Sequence, residues 1–494
     1  MHNKVSFLKH YIKALLAECQ TNSWKRNNDM VELHDIKSWK KEKLDPVSPT
    51  FCTAKWKQVT LHLQTGQTHS CHHPNTHKIP LEELKDNPSA LHNTKFKKEQ
   101  RKLMLEGKRP AECDYCWRVE DSKSNELSDR TYKSFEPWAQ PHIKDIVSKP
   151  WDDNVNPSYL EVSFSSVCNF KCSYCMPHIS SKWMEEIKEH GPYLTSGRFN
   201  NLEHLQHTGM MPIPNREHNP YVEAFWKWWP DVSKDLKHFR ITGGEPLLTK
   251  DTFRVLDDLI ENPKPDLEFS VNSNMCVPDA VLNKFIEKMK IIGSQGKVKK
   301  LKIFTSAEAY GTQAEYIRHG LDYDQWLSNI RRVLEEVPNC TFTCMSTYNV
   351  LSIFSFDKML KDLLDLKLEF GGAGKAIPII LDTPYLRYPT HQAMFIAKPE
   401  WRDMYLKPQL EFIRNNFEDR NVRGKENMGF FQWEADKFKR LYDIINEEHL
   451  DEETLRKNRS DFVIFVDEHD RRRGTNFLNT FPEMEQAYYE WKNV

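Results

Sequence analysis

The sequence has no long hydrophobic run. None of its 494 residues belongs to a stretch approaching the ~20 apolar residues that a membrane-spanning helix needs. Near the N-terminus the apolar stretch is residues 14–17, directly after Lys13, and it is too short for the apolar part of a secretory signal. We therefore predict a cytoplasmic protein without membrane contact, in a compartment where thiols stay reduced.

The sequence also lacks a surplus of either charge. Lys and Arg number 70 and Asp and Glu number 71, which gives a net charge of −1. The protein therefore has no net positive electrostatic field that would attract nucleic acid, and nucleic acid is not indicated as a partner. Hydrophobic residues make up 39% of the chain, enough to exclude wholesale disorder. The length predicts about two to four domains.

Strand and helix patterns alternate in the middle of the chain. The candidate strands are residues 159–164, 236–242, 267–272, 301–305, 341–348 and 375–381. Helical periodicity falls between most of them, so the alternation predicts βαβ units and a parallel sheet.

Composition divides the chain into four predicted segments. Residues 1–50 form a charged helical segment, and residues 51–140 a small Cys-rich α+β domain. Residues 150–395 contain the alternating strands and helices, and residues 396–494 form a charged, helical C-terminal extension.

The cysteines cluster at short spacings, which in a reducing compartment indicates metal binding rather than disulfides. Cys168, Cys172 and Cys175 directly follow the first candidate strand as Cys-x3-Cys-x2-Cys. Three thiolates this close can hold one face of a cubane cluster and leave its fourth iron open. A zinc site with His178 as the fourth ligand is the alternative interpretation.

A second motif follows the next candidate strand. Gly243 and Gly244 allow the backbone to approach a ligand closely, and Glu245, followed by Pro246, offers a carboxylate to an ammonium group. The ends of parallel strands are where α/β proteins gather their ligands. The alternative is an ordinary tight turn.

Together, the two motifs resemble the radical S-adenosylmethionine (SAM) family of enzymes. The resemblance implies a partial (βα)6 TIM barrel and a [4Fe–4S] cluster on the three cysteines, with SAM bound to the open iron. One electron then cleaves SAM to methionine and a 5′-deoxyadenosyl radical, which abstracts hydrogen from a substrate. A reductase or a flavodoxin- or ferredoxin-type protein would donate that electron.

The same resemblance assigns further SAM contacts. Glu245 would hold the amino group of SAM, Tyr174 would pack near the adenine, and Arg318 would pair with the carboxylate. The residues implied near the ribose are Asn272, Ser273, Asn274, Ser306 and Glu308. Asn272 could instead only cap its strand, and Arg318 could form a surface ion pair.

A second cysteine set precedes the strand-rich segment. It consists of Cys52, Cys71, Cys113 and Cys116. With Glu120, Ser128 and Arg130 after it, this set resembles the Twitch domain, a shortened SPASM domain that holds an auxiliary [4Fe–4S] cluster. In the better-known SPASM enzymes this domain follows the core. A structural zinc site is the alternative, with His72, His73 or His77 replacing a thiolate.

The substrate is the least determined feature. Residues 176–235 carry many aromatics, which either roof the active site or pack a helix on the core. Twitch- and SPASM-bearing relatives often modify peptides, so the resemblance implies a peptide or protein side chain as substrate. The alternatives are a small carbohydrate or nucleoside and, in a different class, a non-catalytic metal-binding scaffold.

Overall fold

The structure is a computed structural model of the whole chain. It describes residues 33–122, 127–372, 377–417, 429–445 and 450–493. Of the helical segment predicted for residues 1–50, residues 1–32 lie outside this description. So do residues 375–376, the beginning of the last candidate strand.

Eleven strands lie within the described ranges. They are β1 (Gln58–His62), β2 (Gln67–His69), β3 (His77–Lys78), β4 (Tyr159–Ser163), β5 (Lys171–Cys172), β6 (His238–Thr242), β7 (Lys264–Asn272), β8 (Val298–Thr305), β9 (Arg318–His319), β10 (Cys340–Met345) and β11 (Ile379–Asp382).

The same ranges contain helices throughout. They are α1 (Leu33–Trp39), α2 (Ala54–Lys57), α3 (Leu81–Leu84), α4 (Lys95–Leu105), α5 (Asp114–Glu120), α6 (Asp129–Phe135), α7 (Ile143–Ser148), α8 (Ser181–His190), α9 (Leu202–His207), α10 (Pro220–Val232), α11 (Lys250–Glu261), α12 (Asp279–Ser294), α13 (Gly311–Ile317), α14 (Tyr323–Glu336), α15 (Phe356–Phe370), α16 (Lys407–Asn415), α17 (Gln432–Ile444), α18 (Glu452–Arg473), α19 (Phe477–Thr480) and α20 (Glu485–Lys492).

The chain forms two compact units. The first comprises Met1–Ser165, Pro212–Gly243 and Lys264–Ser270. Its sheet runs in the order β7-β6-β4-β1-β2-β3. β4 is parallel to both β1 and β6, whereas β2 is antiparallel to β1 and β3. β1 therefore extends the core sheet, and the predicted domain boundary near residue 150 falls inside this unit.

One face of this sheet is apolar and packs against α10. Phe239 of β6 lies in the same register row as Val59 and Leu160. The rings of Trp229 and Phe239 are 4.9 Å apart, and Phe225 is also fully buried. These two aromatics of the long insertion thus pack a helix on the sheet, which is the second of the two interpretations of that segment.

The second unit comprises Ser166–Met211, Gly244–Pro263 and Val271–Val494. In its sheet β10 is parallel to both β8 and β11. A separate pair of short strands, β5 and β9, is antiparallel and sets Cys172 opposite Arg318. Helices α16 to α20 supply the helical C-terminal region.

The predicted fold class is confirmed: the core is a parallel sheet with intervening helices, followed by a helical region. All six candidate strands are present, with ends that differ by a few residues, and successive strands lie side by side in each unit, as in a partial (βα)6 barrel. β11 begins only after Pro378, which has no N–H for a sheet. In the described ranges no helix has the length and apolar character to cross a bilayer.

Candidate active site

The cysteine triplet lies on the loop that begins the second unit, residues 166–176, which is called the cluster loop below. Cys168 precedes the short strand β5, Cys172 ends it, and Cys175 follows one turn later, with its N–H donating to Cys172 O (2.9 Å). Arg473 and three other residues outside the loop donate side-chain hydrogen bonds to its backbone, as described below. The loop is thus an ordered element of the unit.

Burial dominates the chemistry of these three thiols. The pKa of Cys168 is raised to about 12, chiefly by burial and in addition by the negative charge of the neighbouring Cys172 thiolate. The pKa values of Cys172 and Cys175 are also raised, chiefly by burial. Cys175 additionally feels the negative charges of the other two thiolates. Three mutually repelling buried thiolates are stabilised by binding positive iron, so the donor set fits a cluster.

The Gly-Gly-Glu-Pro turn packs directly on the cluster loop. A Cβ added to Gly244 would lie 2.3 Å from Val167 O, so only glycine fits there. Glu245 donates its N–H to the same carbonyl at 2.7 Å. Gly243 has a φ of +132°, which glycine alone adopts readily. Pro246 is buried and begins a single turn of 3₁₀ helix.

The Glu245 side chain is turned toward the protein backbone. Its two carboxylate oxygens accept hydrogen bonds from the N–H groups of Leu247 (3.0 Å) and Asn274 (2.7 Å). Glu245 is 1% exposed, and burial raises the pKa of its carboxyl to about 7 although these donors lower it. The Ser273 side chain also hydrogen-bonds to this carboxylate, and a carboxylate has about four lone-pair sites in all.

The residues after β7 connect this turn to the cluster loop. Asn274 donates from Nδ2 to Oδ1 of Asn169, which in turn donates to Cys276 O (2.7 Å). Ser273 Oγ accepts the N–H of Met275. Asn272, the last residue of β7, is half-buried.

A buried ion pair faces the cluster loop from β8 and β9. Arg318 donates from Nε and Nη2 to both oxygens of Glu308, each at 2.7 Å. The Tyr174 hydroxyl donates to Glu308 and accepts a hydrogen bond from Arg318 (2.6 Å). Arg318 also donates from Nη1 to Cys172 Sγ at 3.5 Å. Ser306, on the same connection as Glu308, is half-buried.

The structure thus brings together residues predicted from separate motifs. Arg318 forms an ion pair, but a buried one against the cluster loop and not the surface pair considered as an alternative. Tyr174 and Glu308 belong to the same network, which offers donors and acceptors for a polar ligand. The chemistry of this donor set fits a zwitterionic ligand such as SAM.

The second cysteine set converges in the first unit. Cys52, Cys71, Cys113 and Cys116 line one pocket. The pKa of Cys71 is raised to about 12 and that of Cys113 to about 11, chiefly by burial, and the thiolates of the set interact electrostatically. Three cationic side chains line the same pocket: Lys55, Arg130 and Lys133. An anionic cluster would be compensated by these cations.

The residues after the Cys-x2-Cys pair support this pocket. Glu120 accepts hydrogen bonds from Ser128 Oγ (2.5 Å) and Arg130 Nε (2.8 Å). Arg130 also donates to Phe51 O, next to Cys52 (2.7 Å). Of the histidines considered as zinc ligands, His73 lines the pocket and pairs with Asp129 at 2.6 Å.

Within the described part of the chain, no three His, Cys, Asp or Glu side chains are arranged to hold a single metal ion. A mononuclear site requires every ligand within about 2.3 Å of one ion. In a cubane cluster each thiolate instead binds its own iron.

Sequence reasoning missed the residues that hold the backbone of the cluster loop. They are Ser180, Trp183, Gln392 and Arg473. The run Arg471–Arg473 was visible in the sequence, but nothing in it identified a partner on the cluster loop.

Known proteins resemble this chain over its core. Residues 162–366 match the family model of the Radical SAM superfamily. A GTP 3′,8-cyclase of Nautilia profundicola is 27% identical over 135 residues, 27% of this chain and 32% of the relative. One of Aliarcobacter butzleri is 28% identical over 138 residues, 27% and 31% of the two chains. This chain thus covers about a third of the length of these relatives.

A solved structure is also similar. The crystal structure of Streptococcus suis SuiB bound to S-adenosylmethionine has a TM-score of 0.32 and 14% identity, covering 75% of this chain and 69% of that one. The matched family is named for radical chemistry with SAM, and both relatives are named as cyclases of GTP. Over residues 162–366 this chain is therefore similar to the Radical SAM superfamily.

Proposed function

We propose that this chain is a radical SAM enzyme whose [4Fe–4S] cluster is held by Cys168, Cys172 and Cys175. The observation that carries the proposal is the position of the three thiols, on one ordered loop inside the matched domain and beside a buried Arg318–Glu308 pair. When bound, the cluster and SAM supply a 5′-deoxyadenosyl radical that abstracts hydrogen from a substrate.

The residues around the loop would bind and orient SAM. Glu245 retains a lone-pair site for the ammonium group, and the adjacent Gly243 and Gly244 keep side chains out of the turn. Arg318 Nη1, which donates one N–H to Cys172 Sγ, offers its other N–H to the carboxylate, and Tyr174 offers a ring for the adenine. The polar groups proposed for the ribose follow β7 and β8. They are Asn272, Ser273, Asn274, Ser306 and Glu308.

We further propose that the first unit holds an auxiliary [4Fe–4S] cluster on Cys52, Cys71, Cys113 and Cys116. All four thiols line the same pocket, and cationic side chains surround them. Four thiolates close the coordination of a cluster, so its role would be electron relay or structural support. Electrons would come from a reductase or a flavodoxin- or ferredoxin-type donor.

For the substrate we propose a peptide or protein side chain, because the four-thiol pocket resembles the Twitch domain of peptide-modifying enzymes. A nucleotide or nucleoside is the second candidate. It is favoured by the curated relatives, which are named for a reaction of GTP.

Product analysis tests the proposal. Anaerobically reconstituted, reduced protein incubated with SAM should yield 5′-deoxyadenosine and methionine, measured by mass spectrometry. GTP, other nucleosides and peptide pools are then added separately, and the true class of substrate should increase the yield. Deuterium from a labelled substrate should appear in the deoxyadenosine.

The matched control replaces Cys168, Cys172 and Cys175 with Ala, which should abolish deoxyadenosine formation. Cys340→Ala, at a buried core thiol on β10, should leave it unchanged. No deoxyadenosine from wild-type protein with a verified cluster, with or without cell extract as substrate source, would contradict the proposal.

A further inference from the structure

Four consecutive carbonyls of the cluster loop accept hydrogen bonds from side chains outside the loop. The pairs are Phe170 O with Ser180 Oγ (2.9 Å), Lys171 O with Arg473 Nη1 (2.7 Å), Cys172 O with Trp183 Nε1 (2.8 Å) and Ser173 O with Gln392 Nε2 (3.2 Å). Buried carbonyls need partners, and each of these four has a side-chain donor, while Cys172 O also accepts the N–H of Cys175. The path of the backbone through Cys172 is therefore fixed from outside.

Arg473 is the most distant of these donors. It is the last residue of α18, 302 positions after Lys171, and its side chain is fully buried. Its guanidinium also donates to both oxygens of Glu186, at 3.0 and 3.1 Å. It lies over the Trp183 ring, 4.8 Å from the ring centroid.

Glu186 completes this arrangement. Besides its bonds to Arg473, it forms an ion pair with Lys171 Nζ (2.7 Å) and accepts a hydrogen bond from the Tyr193 hydroxyl (2.9 Å). Burial raises the pKa of its carboxyl, but the hydrogen bonds and charges of Arg473 and Lys171 outweigh burial and hold the pKa at about 2. The carboxylate thus stays ionised and fixes the planar guanidinium in one orientation.

We propose that Arg473 is a positioning residue for the cluster loop, so that the C-terminal helical region is part of the cluster site. The inference rests on the proposed assignment of Cys168, Cys172 and Cys175 as cluster ligands. Arg473 holds the Lys171 carbonyl directly and packs on Trp183, which holds the Cys172 carbonyl. Through these two carbonyls it sets the position of the central thiolate.

The chain contains a matched control in the same helix turn. Arg471 is 60% exposed and pairs with Glu468 on its own helix. Arg473→Gln removes the charge and the bidentate donor, whereas Lys171 still neutralises Glu186. Arg473→Lys keeps the charge, but its ammonium can bind either Glu186 or the Lys171 carbonyl and not both.

The experiment measures the cluster, not turnover. Wild type, Arg473→Gln, Arg473→Lys and Arg471→Gln are reconstituted anaerobically, and iron and sulfide are counted. The release of iron to a chelator is followed with time, and electron paramagnetic resonance records the reduced cluster with and without SAM. Circular dichroism and thermal unfolding report the fold.

Arg473→Gln should release the SAM-responsive cluster about tenfold faster than wild type, because a charged hydrogen bond to the loop is lost. The rate of iron release from Arg473→Lys should lie between those of Arg473→Gln and wild type, and the rate from Arg471→Gln should match that of wild type. Trp183→Phe, which removes the donor to Cys172 O together with the five-membered ring of the indole, should also accelerate release. It carries the test if Arg473→Gln fails to fold.

Two failures can be told apart. A wild-type protein without iron and sulfide contradicts the proposed function itself. The other failure begins with a wild-type protein that has a SAM-responsive cluster. If Arg473→Gln and Trp183→Phe then release iron and respond to SAM as Arg471→Gln does, only the positioning role of Arg473 is overturned.

Discussion

The carboxylate of Glu245 contacts two separate stretches of backbone, at Leu247 and Asn274. Asn274 in turn contacts Asn169 on the cluster loop. A change at Glu245 therefore acts on the proposed ammonium site and on the supports around it.

Glu245→Ala should weaken SAM binding about ten- to hundredfold, since a charge-assisted hydrogen bond contributes about 1.5–3 kcal/mol. Glu245→Gln should lose less of the affinity for SAM, because one acceptor oxygen remains. SAM binding to reconstituted protein is measured by calorimetry, and iron content should not change. An unaltered affinity with an intact cluster would contradict the role of Glu245 in SAM binding.

For single residues, the sequence predicted which side chains belong to the candidate site better than it predicted which side chains contact each other. The motifs predicted the cysteines, Glu245 and Arg318 as members of one region. That Arg318 pairs with Glu308, and Glu245 with two backbone N–H groups, depends on how separate loops approach each other. Local spacing carries no information about such approaches, which is also why Arg473 was missed.

Helix α11 shows what holds an element of the core in place. Val255, Leu256 and Leu259 are fully buried on one face, whereas Glu261 is exposed. Leu256→Ala should lower the free energy of unfolding by about 2–5 kcal/mol, because it leaves a cavity in packed surroundings.

Glu261→Ala, at the end of the same helix, should change the free energy of unfolding by less than about 0.5 kcal/mol. Chemical denaturation of both variants measures the difference. Equal stabilities would show that the helix does not pack as described.

The strands of the core were predictable because their apolar patterns are local. The pairing of β1 with β4 was not, because any strand of suitable pattern could occupy that edge of the sheet. The separate Cys-rich domain stays a prediction, and its first strand, β1, pairs with β4.

Across the whole molecule the two cysteine sets belong to different units. Wild type should contain about eight irons and the Cys168, Cys172 and Cys175 triple Ala variant about four, since each cluster has four irons. The remaining cluster should not respond to SAM in electron paramagnetic resonance. A triple variant without iron or zinc would contradict the auxiliary site.

Zinc gives a different outcome in the same experiment. Wild type would then contain about four irons and one zinc, and the triple variant zinc alone. Elemental analysis with sulfide counting distinguishes the two compositions.

The distance in sequence between Lys171 and Arg473 also has a consequence for synthesis. A ribosome adds about 5–20 residues per second, so the partner of the Lys171 carbonyl emerges about 15–60 s after the three cysteines. During that interval the loop lacks one of its supports. If the loop binds the proposed cluster, stable insertion would follow synthesis of the C-terminal helix, and the thiols would need protection from oxidation until then.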